Sequence, residues 1–170
     1  MHTLFDGVHA GATLRVTRGE TLEGGSGTTG DLDAGILAVA GAVRIGAVVR
    51  NIRAPRVGDV RLDRAVRVGV AFDADRAGYG PGVLALDVDL REYEADAGRR
   101  QVIAAGAERW FGARRAAVRG GVRVNIAPEG ETAATAGGSL ALRAGMFLDG
   151  YLALGGHAER GWGVAGRVSF

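Results

Sequence analysis

The fold is decided by one stretch of the chain, Leu84-Ala85-Leu86-Asp87-Val88-Asp89-Leu90-Arg91. Every second residue from Leu84 to Leu90 is apolar, and the residues between them are small or charged. Alternate residues of a β-strand point to opposite faces, whereas a helix would scatter these charges around its circumference. The stretch is therefore predicted to be a strand with one apolar and one polar face.

The same alternation recurs along most of the chain. Clear copies run over residues 66–73, 118–125 and 162–170, and weaker ones over 8–18, 32–40, 43–53, 102–111, 135–143 and 147–155. This predicts about ten strands of roughly 9 to 11 residues, longer than the usual 5 or 6.

The predicted connections differ in length. Those at 40–42, 112–114 and 144–146 are short, and those at 19–30, 54–64, 92–100, 126–134 and 156–160 are longer and more polar. Outer-membrane barrels have tight turns at one rim and long loops at the other. Residues 74–82 form a connection longer than this asymmetry predicts.

Composition excludes several function classes. The 170 residues suggest one domain, spanning 1–170, and the lack of Cys excludes disulfides, zinc–thiolate sites and thiol catalysis. All 21 basic residues are Arg, spread evenly without an aromatic platform, which argues against a nucleic-acid partner. The longest uncharged stretch, Thr132 to Leu142, is too short for a membrane-spanning helix of about 20 residues. The first residues show no signal-peptide pattern.

Alternation alone leaves open which face points outward. A soluble sandwich or barrel buries its apolar face, whereas a membrane barrel exposes it to lipid. Three features favour the membrane: strands of bilayer-crossing length, a polar face that mixes Arg and acids with many Gly, and aromatics near strand ends where interfacial girdles form. These aromatics are Phe72, Trp110, Phe111, Phe147 and Trp162. The predicted fold class is an all-β, antiparallel, up-and-down transmembrane β-barrel.

The last segment, Gly161 to Phe170, ends on an aromatic residue that follows apolar residues at alternate positions. It resembles the C-terminal strand of bacterial outer-membrane barrels, whose terminal aromatic residue is read by the barrel-assembly machinery. The resemblance implies an assembly signal made of Trp162, Val164, Val168 and Phe170.

Further segments resemble, in order, the C-terminal part of PorV-type and TraF-like outer-membrane proteins, relatives of the FadL-like fatty-acid channels. They are Val48 to Ile52, Arg64 to Ala71, Leu84 to Asp89, Gly106 to Glu108 and Leu140 to Gly145. Members of that superfamily typically have about 14 strands and a signal peptide, and bacterial barrels in general have an even number of strands, which ten also is. The resemblance therefore suggests that the N-terminal strands are missing here; a self-contained ten-stranded barrel is the alternative.

The sequence offers little catalytic chemistry. His2, His9 and His157 lie far apart without motif partners, and the glycine-rich residues 24–30 lack a phosphate-loop ending, which predicts a flexible loop. Asp87 and Asp89 could bind a cation or act as an acid/base pair, but an ion-paired role beside Arg67, Arg91 or an arginine linked to Glu108 is favoured. An outer-membrane hydrolase would have only the scattered Asp31, Asp33 and His157. No catalytic residue, cofactor or metal is predicted.

The polar face supplies the candidate lumen-lining residues. They are Arg44, Arg50, Arg67, Asp87, Asp89, Arg91, Glu108, Arg119, Arg123, Arg143 and Arg167. The arginines could select anions in an open lumen or be held in ion pairs that fill a narrow one, and the second is favoured.

The predicted function is that of a non-enzymatic outer-membrane β-barrel in the transport of hydrophobic or small solutes or in surface-protein export. Its expected partners are membrane lipid, the barrel-assembly machinery, and a secreted protein or hydrophobic small molecule. The alternative is a soluble antiparallel barrel or sandwich that binds a ligand or protein.

Overall fold

The computed structural model describes residues 2–20, 26–57, 60–95, 98–128, 130–156 and 160–168, and these residues form strands, turns and loops without a helix. Eleven strands form one antiparallel sheet. In sheet order they are β1 (His2–Phe5), β2 (Val8–Glu20), β3 (Ser26–Ala40), β4 (Val43–Arg50), β7 (Ala65–Asp73), β8 (Gly82–Asp89), β11 (Val102–Phe111), β12 (Ala116–Asn125), β13 (Thr132–Arg143), β14 (Met146–Gly155) and β15 (Arg160–Val168). Each long predicted strand is present.

Four short strands lie in two of the connections. β5 (Arg56–Val57) pairs with β6 (Val60–Arg61), and β9 (Tyr93–Ala95) pairs with β10 (Gly98–Arg100). Each pair is a small hairpin between two strands of the main sheet. None of the described residues forms a helix long and apolar enough to cross a membrane.

The strands of the main sheet follow one another in an up-and-down meander, which divides the connections between two rims. The short-turn rim holds residues 6–7, 41–42, 74–81, 112–115 and 144–145, and the long-loop rim holds the connections after β2, β4, β8, β12 and β14. Apart from residues 74–81, the short-turn rim has turns of two to four residues. The predicted asymmetry of the connections is therefore present in part: residues 51–64 and 90–101 form long connections, but the one at 156–159 is no longer than the turn at 112–115.

Glycine makes one of the tight turns possible. Gly7 has a φ of 75°, and its carbonyl accepts a 2.6 Å hydrogen bond from the Val39 backbone N–H. A Cβ atom at Gly7 would lie 2.5 Å from the Val39 carbonyl oxygen. The turn can form because glycine tolerates the left-handed conformation and has no side chain there.

The predicted glycine-rich loop is wrong for residues 26–30. They belong to β3, which pairs with β2 in an unbroken ladder from Val8↔Ala38 to Glu20↔Ser26. Thr28 and Thr29 favour a strand, and pairing with β2 along the whole ladder overrides the weak strand propensity of the glycines. Residues 24 and 25 lie outside the described part. The short strand β1 was also not predicted.

The structure confirms an all-β, antiparallel fold, but the sheet is not closed into a barrel. Among the described residues, the edge strands β1 and β15 each pair with one neighbour only, β2 and β14. The predicted closure is therefore not seen in this sheet.

The two faces of the sheet differ in chemistry. The face that carries Leu84 and Leu86 is called here the apolar face, and the one that carries Asp87 and Asp89 the polar face. Among the described residues, the only buried hydrophobic side chains are three alanines, whereas 27 large hydrophobic residues are exposed, most of them on the apolar face. The buried polar side chains are Asp31, Asp89 and Ser139. The sheet thus shields polar groups and exposes apolar ones.

Candidate functional site

The polar face is the candidate site, and the strand register shows which predicted residues share it. Direct partners across an antiparallel ladder lie on the same face. The ladders place nine predicted residues there: Arg44, Arg50, Arg67, Asp87, Asp89, Glu108, Arg119, Arg123 and Arg167.

One ion pair ties three strands together. Arg67 on β7 donates from Nε and Nη2 to the two carboxylate oxygens of Asp89 on β8, at 2.7 and 3.1 Å. The same carboxylate accepts a 3.0 Å hydrogen bond from the Val102 backbone N–H at the start of β11. Asp89 is only 1% exposed. A forked pair of this kind fixes geometry as well as charge.

A second cluster is centred on Asp149 of β14. Its carboxylate accepts hydrogen bonds from Arg119 of β12 at 3.1 Å and Arg167 of β15 at 3.2 Å, and also from the Ser139 hydroxyl of β13. Arg119 also lies 3.9 Å from Glu108 on β11. One acidic group therefore links four neighbouring strands, and the chain of charges reaches a fifth.

Two aromatic residues complete this cluster. The Trp110 indole N–H donates to Glu108 Oε1 at 2.6 Å, and its ring contacts Phe147 edge-on at 6.0 Å. The Arg167 guanidinium lies 4.5 Å from the centre of the Phe147 ring, within cation–π range. The prediction that Trp110 and Phe147 belong to an interfacial girdle is therefore wrong, since both lie on the polar face.

The aromatic residues of the apolar face differ. Phe72 pairs in register with Val43 and Leu84, while Phe111 and Trp162 are 50% and 78% exposed. These three residues lie near strand ends, as the girdle prediction requires.

The polar face of β2 to β4 carries further acids. Asp33 accepts a 2.6 Å hydrogen bond from Arg15 and a 2.9 Å one from the Asn51 backbone N–H. Asp31, only 3% exposed, accepts from the Arg53 backbone N–H at 3.3 Å, while its Oδ2 has no partner among the described residues. These carboxylates hold the start of the 51–64 connection against β3.

Other predicted lumen residues are not paired as expected. Within the described ranges, no carboxylate lies within 4.0 Å of Arg50, Arg91, Arg123 or Arg143, and no cation lies that close to Asp87. Arg91 lies beyond the end of β8 and is exposed, so it does not neutralise Asp89. Arg143 ends β13 after a register irregularity. Arg44, in contrast, is paired with Asp73.

Three of the four proposed assembly-signal residues lie along one edge strand. Trp162, Val164 and Val168 alternate on the apolar face of β15 and are 78%, 65% and 55% exposed. Phe170 lies outside the described residues.

Glycine makes room for the large side chains of the polar face. In three direct cross-strand pairs, a charged or aromatic side chain lies opposite a glycine: Asp87 with Gly69, Arg119 with Gly137 and Tyr151 with Gly163. A Cβ at the glycine would overlap the Asp87 carboxylate, and would lie 3.2 Å from Arg119 Cγ and 2.5 Å from the Tyr151 ring. The high glycine content thus allows charged and aromatic side chains to lie flat on neighbouring strands.

Two open grooves lie on this face, with volumes of about 740 and 430 Å³. The larger contains Arg44, Arg67 and Leu37, and the smaller contains Glu108 and Arg119. Both are lined by Ala85 and Asp87 in the middle of the sheet. Their walls are mostly backbone and small side chains, so they are shallow surfaces and lack the convergent groups of a catalytic pocket.

The same face has no cluster of metal-ligating side chains among the described residues: no three His, Asp or Glu side chains lie together as metal ligands would. His9 Nδ1 lies 3.2 Å from the Thr3 hydroxyl at the edge of the sheet. Asp31 and Asp33 share one face of β3, and His157 lies outside the described residues.

Sequence reasoning missed Asp149, Ser139 and Asp73 as site residues. Asp149 lies on the same face as Phe147 and Tyr151, at every second position, so an unbroken period-two assignment through β14 would have included it. Ser139 has no such signal because its role depends on its partner Asp149 across the ladder.

No family model, no curated protein and no solved structure matches this chain. The geometry of the polar and apolar faces therefore carries the functional argument.

The space over Gly137 gives a first test. Gly137→Ala is expected to lower the free energy of unfolding by about 1–3 kcal/mol, as overpacking does, because the new methyl would lie 2.9 Å from the Gly150 carbonyl oxygen. Gly161→Ala, on the same face of β15, is the matched control, since nothing lies within 4 Å of its Cβ position. Urea unfolding curves compare the two. Equal stability of both variants would contradict this account of the glycines.

Proposed function

We propose that this chain forms the wall of a non-enzymatic β-barrel in the bacterial outer membrane, with the apolar face against lipid and the polar face towards the lumen. The observation that carries the proposal is the inversion of burial: Asp31 and Asp89 are buried, while Leu, Val, Ile and Trp side chains of the other face are exposed. Such an inverted distribution is typical of transmembrane barrels.

The energetic cost of the apolar face supports lipid as its surroundings. Shielding one Val or Leu side chain from water is worth about 1.5–3 kcal/mol. Most of the 27 exposed large hydrophobic residues lie on this face, so keeping it in water would cost on the order of tens of kcal/mol. A bilayer removes this cost without any second protein layer.

The soluble alternative requires such a layer. A sandwich or soluble barrel covers its apolar face with another sheet or with itself. Among the described residues, the only strands outside the main sheet are the short hairpins β5–β6 and β9–β10. Since these have two or three residues a strand, they are too small to cover a face of eleven strands.

The charges on the polar face suggest what the lumen passes. By register, seven arginines and seven acids share it. They are Arg15, Arg44, Arg50, Arg67, Arg119, Arg123, Arg167, Asp31, Asp33, Asp73, Asp87, Asp89, Glu108 and Asp149. Because five of the seven arginines are ion-paired, the face has little net field to select ions. This supports passage of hydrophobic or small neutral solutes; the resemblance to PorV-type proteins supports surface-protein export as the second role.

The two tryptophans test the orientation. Trp162 lies on the apolar face, whereas Trp110 is bonded to Glu108 on the polar face. With the chain folded into lipid vesicles, quenchers attached to the acyl chains are expected to quench Trp162 strongly and Trp110 weakly. Trp110→Phe and Trp162→Phe each leave a single reporter, because the chain has only two Trp.

A water-soluble quencher provides the control. In the same vesicles it should reach Trp162 less than it does in the urea-unfolded chain. The proposal would be overturned if the quenchers on the acyl chains did not reduce Trp162 fluorescence. It would also be overturned if the protein were monomeric, β-rich and stable in detergent-free buffer.

A further inference from the structure

We infer that the barrel closes between β15 and the outer part of β2, antiparallel, with Val168 opposite Ala12 and Arg160 opposite Glu20. This seam rests on the proposed function, since it concerns how the proposed barrel is completed. It commits to one partner for each free edge: a segment of the same chain.

The edge of β2 is only partly occupied. β1 pairs with β2 from Val8 to Ala10 only, near the short-turn rim. The ten residues from Gly11 to Glu20 have no partner on that side within the described part of the chain. β15, at the other edge of the sheet, has nine residues, so the free edge of β2 is long enough to pair with all of it.

The direction also fits. Ten strands run from β2 to β15 in the sheet, and each is antiparallel to its neighbour. β2 and β15 therefore run in opposite directions, as an antiparallel ladder requires. β1 and β15 run in the same direction, so they can lie end to end along the edge of β2.

The strand register fixes how far the two edges are offset. One row of direct partners leads from β2 to β15: Val8, Ala38, Ile45, Val70, Leu86, Ala105, Val122, Ala134, Leu154 and Arg160. Val8 begins β2 at the short-turn rim, whereas Arg160 begins β15 at the long-loop rim. Pairing these two residues directly would make β15 run past the start of β2. The closing pair must therefore lie further along β2.

An offset of twelve residues, from Val8 to Glu20, satisfies barrel geometry. Twelve residues at about 3.4 Å each displace the two edges by about 41 Å along the strand direction. Ten strands at about 4.8 Å spacing span about 48 Å perpendicular to that direction. The ratio of the two lengths corresponds to a strand tilt of about 40° from the barrel axis. Barrel strands tilt by about 35–45°. The same offset uses the free edge from Ala12 to Glu20 and leaves the residues held by β1 untouched.

The offset also keeps the faces in phase. It places Val164 opposite Val16 and Val168 opposite Ala12, all four on the apolar face, and Arg167 opposite Thr13 on the polar face. An odd offset would put Arg167 opposite an apolar-face residue, because side chains alternate with a period of two.

Engineered cysteines test the seam, since the chain has no Cys of its own. Val164→Cys is combined in turn with Leu14→Cys, Val16→Cys and Arg18→Cys, which are its direct partners at offsets of ten, twelve and fourteen. A disulfide needs Cβ atoms about 3.5–4.5 Å apart, whereas diagonal neighbours lie about 7–8 Å apart. Gly150→Cys with Val164→Cys, a direct pair of the β14–β15 ladder, is the positive control.

In vesicles, oxidation is expected to link Val16→Cys with Val164→Cys within one chain, at least severalfold faster than the other two pairs. Fastest linking with Leu14→Cys or Arg18→Cys would overturn the register. Links between two chains, or none while the positive control forms, would overturn the seam. Trp162 quenching in the same vesicles reports membrane insertion separately, so failure of the seam is distinguishable from failure of the proposed function.

Discussion

Asp89→Ala is expected to lower the free energy of unfolding by about 1–3 kcal/mol, the usual loss when a buried acceptor is removed and its hydrogen-bond donors are left unsatisfied. The Asp89 side chain is 1% exposed and receives Arg67 at 2.7 Å and the Val102 N–H at 3.0 Å. Without it, the Arg67 charge and a backbone donor lose their acceptor at the junction of three strands. Each of these two losses lowers the free energy of unfolding.

Two variants separate these contributions. Asp89→Asn keeps an oxygen that can accept from Val102 but removes the charge, so its loss should be smaller. The double variant Arg67→Leu/Asp89→Leu leaves no unpaired charge, and it should be more stable than Asp89→Ala. The measurement is urea unfolding of the folded protein in lipid vesicles.

An exposed ion pair provides the matched control. Asp75 and Arg114 are 2.6 Å apart, but their side chains are 45% and 64% exposed. Asp75→Ala should therefore cost less than about 1 kcal/mol, as exposed pairs do. If Asp89→Ala and Asp75→Ala had the same effect, the pair of Arg67 with the buried Asp89 would not hold the sheet together.

The strands and the faces could be predicted from the sequence because period-two alternation is a local signal. Leu86 and Asp87 are neighbours in the chain, and their opposite faces follow from strand geometry alone. The same alternation of faces places Trp110 and Phe147 on the polar face, although their aromatic side chains suggested a position at the membrane interface. The alternation predicts the face of a side chain more reliably than its residue type does. It is fixed by backbone geometry, whereas an aromatic ring can pack wherever space allows.

The ion pairs could not be predicted, because they depend on register between strands. Arg67 lies opposite Asp89 and Gly69 opposite Asp87, so one carboxylate is paired and the other is not. The connection at 74–81 sets this register, and a shift by two residues would exchange the two acids. Such an offset is a non-local property, and nothing in the pattern of β7 or β8 alone determines it.

Leu86→Arg is expected to lower the free energy of unfolding in vesicles by about 2–4 kcal/mol, the cost of Arg or Lys on the lipid face of a barrel at the bilayer midplane. Leu86 is 43% exposed on the apolar face, in the middle part of β8. The guanidinium would have to leave water for hydrocarbon. Urea unfolding in vesicles of defined lipid measures the loss.

Depth and face provide the controls for Leu86→Arg. Leu142, 57% exposed, follows Leu140 of the same face by two residues and is the second-last residue of β13 beside the short-turn rim. Since the cost falls to about 0–1 kcal/mol near the interface, Leu142→Arg should be mild. Asp87→Leu, one residue from Leu86 but on the polar face, should also be mild, because Asp87 has no ion pair among the described residues. In a soluble core the cost of a buried arginine would not depend on its distance from a bilayer surface. Equal losses for Leu86→Arg and Leu142→Arg, unchanged by bilayer thickness, would therefore mean that protein and not lipid covers the apolar face.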